Sequence, residues 1–212
     1  MAYRIEAILT GRAVPFRGEE KSAIVKQPAA GPVSVGAMGL DGDEQADRVH
    51  HGGTHMALHH YPLDHYAGWR DELSDHPLLA APGAFGENVS TLGLTESDVL
   101  IGDHYRLGTA LVEVSQGRQP CWKIDHKFGA KGITASVLKS GRCGWYYRVM
   151  EPGVVTAGDS FVLEVPGHKG WSIARVFALM FHKGADRGEL AELGTLDALS
   201  PEWRERAAAK VG

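Results

Sequence analysis

Apolar and polar residues alternate in Ile5-Glu6-Ala7-Ile8-Leu9, in Ala23-Ile24-Val25-Lys26 and in Val33-Ser34-Val35, each run bounded by Gly or Pro. A period of two puts successive side chains on opposite faces of a strand, so the N-terminal part is predicted to be β. The pattern changes over residues 63–73, where Pro62 supplies a helix-compatible start and Tyr66, Trp69 and Leu73 fall on one face. A short amphipathic helix is predicted there, ending at the turn cluster Ser74-Asp75-His76-Pro77. Strands are expected again at residues 85–90, 105–107 and 110–114, the last two joined by the hairpin signal Gly108-Thr109. A further pair, residues 144–150 and 160–165, is separated by a Pro-Gly turn and an Ala-Gly-Asp turn, which suits a closed or nearly closed barrel.

The texture changes after Pro166-Gly167. Ser172, Asp186 and Ser200 stand as N-cap residues before three helical runs reaching about His182, Leu193 and Lys210, with Pro201 opening the last. Val176, Phe177, Leu179 and Met180 give the first of these helices a packing face. The expected fold is mainly β with α: a β-barrel domain over residues 1–166 and a small three-helix segment over 167–212.

Composition narrows the function. A chain of 212 residues with 43% hydrophobic and 23% charged residues builds one sizeable core without staples. Its formal net charge of -4 argues against a general nucleic-acid binder, so any anion must be held by a local cationic cluster. No apolar run suits a signal peptide or a membrane span, and the expected address is the cytoplasm, with no membrane partner. The 2 cysteines are expected to be thiols in that compartment, so a special role is more natural for one of them than a crosslink.

Three segments concentrate reactive side chains. In Gly39-Leu40-Asp41-Gly42-Asp43-Glu44-Gln45-Ala46-Asp47-Arg48-Val49-His50-His51-Gly52-Gly53 the acids lack the EF-hand rhythm and the histidines lack a second ligand pair for zinc. The glycines instead suggest backbone brought close to a ligand, with Asp47 and His51 oriented by hydrogen bonds. In Gly83-Ala84-Phe85-Gly86-Glu87-Asn88 the Asn88 amide offers a donor and an acceptor, as a pterin or purine edge requires, although an Asn also closes turns. In Ser115-Gln116-Gly117-Arg118-Gln119-Pro120-Cys121-Trp122-Lys123 a strand runs into a polar loop, and Pro120 sets a helical turn with Cys121 near its positive end. Arg118 and Lys123 favour the thiolate further, the form that acts as nucleophile or soft metal ligand, and the same cations suit a phosphate. Cys143, in a glycine-rich turn, is taken as incidental.

These segments, with Ile101-Gly102-Asp103, resemble the signature of the MOSC-domain proteins, the family named for the C-terminal domain of molybdenum cofactor sulfurases, in its bacterial YiiM-like branch. The resemblance covers nearly the whole chain. It implies a β-barrel followed by a short three-helix segment, Cys121 as a ligand to molybdenum held by a pterin dithiolene, and reduction of N-hydroxylated compounds such as 6-hydroxylaminopurine. It also assigns Asn88, Arg118, Gln119 and the loop carrying Asp47 and His51 to the cofactor pocket, with Lys26 as a phosphate contact. The chain shows no flavin or iron-sulfur motif, so a separate flavin-dependent or ferredoxin-type donor is expected to supply electrons. It shows no pyridoxal phosphate domain either, so full sulfurase activity is not expected. Two competing readings are a module carrying the cofactor or its sulfur, and a metal-free thiol enzyme in which His51 activates Cys121.

Overall fold

The structure, a computed structural model, describes residues 2–46 and 52–212. In chain order its strands and helices are β1 (Ala2–Thr10), β2 (Val14–Arg17), β3 (Glu20–Ser22), β4 (Gln27–Pro28), β5 (Val33–Gly36), β6 (Gly39–Leu40), β7 (Leu58–His60), α1 (Asp64–Glu72), β8 (Val89–Thr91), β9 (His104–Leu107), β10 (Ala110–Gly117), α2 (Trp122–Phe128), α3 (Ile133–Ser140), β11 (Trp145–Glu151), β12 (Gly153–Val155), β13 (Ser160–Val165), α4 (Ile173–Phe181), α5 (Arg187–Leu193) and α6 (Pro201–Ala209). Among the described residues seven strands form a barrel in the order β13-β9-β10-β11-β7-β8-β1, and β1 returns to β13 through Ala2↔Val162, Tyr3↔Phe161 and Arg4↔Ser160. Closure leaves these strands no open edge. The pairs are antiparallel except β7 with β8, which meet in parallel at His60↔Val89.

Aromatic stacking fills the middle of the barrel. Tyr105 stacks on Phe161 and His60 on Trp145, with ring centroids 4.4 Å apart in both pairs. His60 is buried among these rings, yet its two nitrogens are satisfied by the Tyr147 hydroxyl at 3.0 Å and the Thr91 hydroxyl at 2.9 Å. Burial lowers its pKa to about 3, so it sits in the core as a neutral hydrogen-bonding aromatic.

Outside the barrel, β10 is covered as well as lined: every residue but Leu111 is buried, because α4 packs over it. At Gly117, the end of β10, a Cβ would come within 3.2 Å of Trp203 and 3.6 Å of both Ile173 and Phe177. The absence of a side chain there lets the C-terminal helices approach the strand. The three N-caps act as their residue types predict: Ser172, Asp186 and Ser200 accept hydrogen bonds from the backbone N–H of Arg175, Glu189 and Trp203. Burying Val176, Phe177 and Leu193 stabilises the arrangement by ~1.5–3 kcal/mol each relative to exposure. No helix among the described residues is long and apolar enough to cross a membrane.

The structure departs from the sequence pattern in several places. Ala23-Ile24-Val25-Lys26 is not a strand but an irregular connection between β3 and β4, and the Ile24 carbonyl accepts from Lys127 Nζ at 3.0 Å instead of joining a ladder. Residues 85–88 are not a strand but the end of a turn over 82–85 and an irregular stretch after it, with the strand starting only at Val89. The buried Glu87 carboxylate causes this by accepting from Gly83 N at 2.6 Å and Phe85 N at 3.0 Å, which folds the backbone around it. Helix α2 begins at Trp122, so Pro120 lies outside it, and α3 and β12 were not anticipated. In α3 the β-branched Ile133, Thr134 and Val137 mask the helical signal.

Candidate active site

The loop after β10, the turn before β8 and the segment between β3 and β4 meet around one pocket. It encloses about 650 Å³ of empty space, mouth included, and its lining includes Lys26, Asp43, His59, Asn88, Arg118 and Cys121. Cys121 is the N-cap of α2 and is partly exposed, with extended backbone (φ -135°, ψ 166°). Its carbonyl closes the first turn by accepting from Ile124 N at 3.1 Å. Thr134 on α3 donates to the same carbonyl at 3.2 Å, so two helices fix the position.

Arg118 is 6% exposed and has no carboxylate partner among the described residues. Its backbone N–H donates to the Gly144 carbonyl at 3.1 Å, while its guanidinium faces Tyr146, whose hydroxyl it hydrogen-bonds. Burial raises the Tyr146 pKa and the Arg118 charge opposes that rise. Lys123 also lines the pocket. Burying a cation without a counter-ion is costly, so this wall favours an anion.

Lys26 is placed differently from the expectation. Its ammonium is buried against the Asp43 carboxylate. Desolvation lowers its pKa, while Asp43 partly restores it. Asp43 also accepts from Gly11 N at 2.7 Å and from Asn88 Nδ2 at 2.9 Å. Asn88 gives its other amide hydrogen to the Leu9 carbonyl at 3.1 Å and accepts from His59 N at 3.0 Å. Both donors of Asn88 are thus engaged inside the protein, so it cannot present the donor–acceptor pair that would read a heterocycle edge. Lys26 and Asn88 sit in the pocket wall, and their direct work there is to hold Asp43. Gln119 does not line this pocket; it is exposed, and its Oε1 accepts from Arg206 on α6. Asp47 and His51 lie outside the described residues.

His59 was missed by the sequence reading. It is 3% exposed, and its Nε2 has no partner among the described residues. Its pKa lies well below the usual value, first through desolvation and then through the Arg118 charge, so it is a neutral imidazole. Gly144, at φ 69°, makes room for it: a Cβ there would stand 2.9 Å from His59 Nε2 and collide with the His60 carbonyl. The signal in the sequence was a pair of histidines inside an apolar run, Ala57-Leu58-His59-His60-Tyr61. Cys143 is 1% exposed and its thiol donates to the Gly144 carbonyl at 3.1 Å. Burial pushes its pKa up, which makes it an inert core residue.

Residues 47–162 match the MOSC domain and residues 171–211 match the YiiM-like 3-alpha helix domain. The chain is 37% identical over 203 residues to protein YiiM of Escherichia coli strain K12, covering 96% of this chain and 90% of that one. It is 39% identical over 176 residues to a protein of Gibberella moniliformis named Reductase, covering 82% of this chain but 31% of that longer protein. The crystal structure of YiiM from Geobacillus stearothermophilus superimposes with a TM-score of 0.85 at 33% identity, covering 99% of this chain and 100% of that one. None of these matches supports binding of pyridoxal phosphate.

Proposed function

The chain belongs to the MOSC-domain family, in its YiiM-like branch, and on that premise we propose that it is a molybdenum-cofactor-dependent oxidoreductase reducing N-hydroxylated compounds such as 6-hydroxylaminopurine. The observation that carries this reading is Arg118, a guanidinium buried in the same pocket as Cys121 with no carboxylate partner among the described residues. A pterin cofactor ends in a phosphate dianion, and a buried Arg is the side chain that can grip it with two parallel N–H bonds. Cys121 supplies a soft sulfur ligand suited to a metal already held by dithiolene sulfurs. The donor set therefore fits the group. Lys123 adds a second positive charge to the wall, and the Lys26–Asp43–Asn88 network keeps the turn before β8 against β1.

When bound, the molybdenum supplies the two-electron reduction that cleaves an N–O bond, releasing water and leaving N–H. Electrons then come from a separate flavin-dependent or ferredoxin-type partner. Asp47 and His51 stay assigned to the pocket by family resemblance. The name of the Gibberella protein agrees with an oxidoreductase.

The test is a pair of cysteine variants made in a cofactor-competent host. Cys121→Ser is expected to keep its thermal stability and lose reduction of 6-hydroxylaminopurine, whereas Cys143→Ser keeps the activity. Full reductase activity in purified, molybdenum-loaded Cys121→Ser would overturn the ligand assignment and the reading built on it.

A further inference from the structure

Five buried side-chain polar atoms have no partner among the described residues, and three of them belong to one cluster: Nδ1 of His55, Nε of Arg148 and Nε of Arg204. They come from parts of the chain that meet around Ser115 on β10. The Ser115 hydroxyl donates to the His55 carbonyl at 2.6 Å, and the Ser115 carbonyl accepts from Ser200 N at 3.0 Å. Arg204 lies one turn further along α6, its N–H donating to the Ser200 carbonyl at 3.0 Å. Arg148 stands on β11 opposite Glu113 of β10, and the helical turn Thr54–Met56, which carries His55, packs on both strands. Both guanidinium charges reach His55. Desolvation lowers its pKa first, and Arg148 and Arg204 add to that fall against the opposing Glu113.

Charge is unbalanced in this cluster. Arg148 meets Glu113 at 3.3 Å, but that carboxylate is shared with His104 Nε2 at 3.4 Å, and another Arg148 nitrogen donates to the Ala198 carbonyl. Arg204 has no ion pair among the described residues. Buried donors without acceptors call for an ion or a water, and two guanidiniums against one carboxylate favour an anion over a neutral molecule. The way in is separate from the pocket at Cys121. Arg148 and Glu113 line an open cavity with about 810 Å³ of empty space, mouth included, together with Gly102, Met150, His168 and Ala198. That cavity and the pocket share no lining residue.

We propose that His55, Arg148 and Arg204 form a second anion site, for a small tetrahedral oxyanion of the phosphate class, which joins the barrel to the C-terminal helices. Arg148 belongs to β11 and Arg204 to α6, so one ion accepts charge-assisted hydrogen bonds from both parts at once. A tetrahedral oxyanion offers each of the three N–H groups an oxygen of its own, which a planar carboxylate does not. The neutral His55 ring completes the set with its proton on Nδ1. The inference stands without the reductase reading, since none of the three residues lines the pocket at Cys121.

Inorganic phosphate is the probe. Thermal unfolding of the full-length protein is followed in phosphate and in sodium chloride of equal ionic strength, so that screening is matched. Phosphate at ten times its Kd, read from the same titration, is expected to raise the melting temperature of the wild type by about 3–6 °C over the chloride control. Arg118→Ala, which removes the cation of the other site, keeps that rise. Arg204→Gln, at a partly exposed position with no ion pair to lose, binds phosphate about tenfold more weakly. Its rise at the same concentration falls to about 1 °C. Arg204→Lys, which keeps the charge without the planar fork, lies between the two. Equal rises in wild type and in both Arg204 variants overturn the site, because the ion then acts on the hydration of the whole surface. No rise in the wild type overturns it as well. A rise lost in Arg118→Ala does the same, by placing the phosphate beside Cys121.

Discussion

Arg118 and Lys26 are both buried cations in one pocket, and their surroundings give them opposite tasks. Arg118 has lost water without gaining a carboxylate, whereas Lys26 is neutralised by Asp43. Arg118→Ala is therefore expected to remove most bound cofactor at little cost in stability, and Arg118→Lys to cost about 1–2 kcal/mol of retention because the two-pronged bond is lost. Lys26→Ala should act the other way, leaving Asp43 buried without its partner and destabilising the fold by about 3–5 kcal/mol. Molybdenum and pterin content beside urea unfolding separates the two, and equal cofactor occupancy in Arg118→Ala would move the phosphate elsewhere, with Lys123 next. Cys121 and Arg118 were legible in the sequence because a proline, a thiol and two cations within six residues constrain one another locally. The Lys26–Asp43 pair was not, since 17 residues separate its members and nothing local predicts that they meet. His59 was illegible for the same reason: its neutrality comes first from burial under residues distant in sequence and then from the Arg118 charge.

Whole elements were read best where a cap residue and an apolar stripe agreed, as at Ser172, Asp186 and Ser200. They were misread where a side chain diverts the backbone: Glu87 bends residues 85–88, and Lys127 takes the carbonyls of Ile24 and Gly83. Lys127 makes α2 the strap that holds both irregular segments beside the pocket. Burial lowers its pKa to about 8, against about 10.4 for an exposed lysine. Between those values the unfolded chain binds more protons than the folded one, so this residue contributes stability that grows as pH rises. Cys143, raised by burial, works in the opposite sense at alkaline pH, so the informative quantity is the difference between wild type and Lys127→Met at each pH. That difference is expected to increase by on the order of 2 kcal/mol from about pH 7.5 to 9.5. A difference that stays constant across urea titrations at the two values would show that Lys127 does not change its charge there.

At the scale of the molecule, the change of texture at Pro166 was visible in the sequence, but it says nothing of how tightly the two parts are joined. The proposed division at residues 1–166 and 167–212 separates patterns of sequence while the packing runs across it. Ser200 N donates to the Ser115 carbonyl at 3.0 Å, Ile101 N donates to the Trp171 carbonyl at 2.9 Å, and Gly117 lies against Trp203. Truncation after residue 166 is expected to uncover the outer face of β10 and to lower the melting temperature by about 10 °C or more, or to leave the product aggregated. A monomeric 1–166 fragment melting at the wild-type temperature in calorimetry would make the helical segment an ornament.

The closure of the barrel also sets a schedule. Ala2, Tyr3 and Arg4 find these partners only at Val162, Phe161 and Ser160, so β1 waits for β13 to be synthesised. At ordinary elongation speeds of about 5–20 residues per second the delay is on the order of 10–30 s. Until then Leu9 has only β4, and Ile5 and Ile8 have β8 only once it has been made, with no closed cylinder to bury them, and the nascent chain needs something else to cover them.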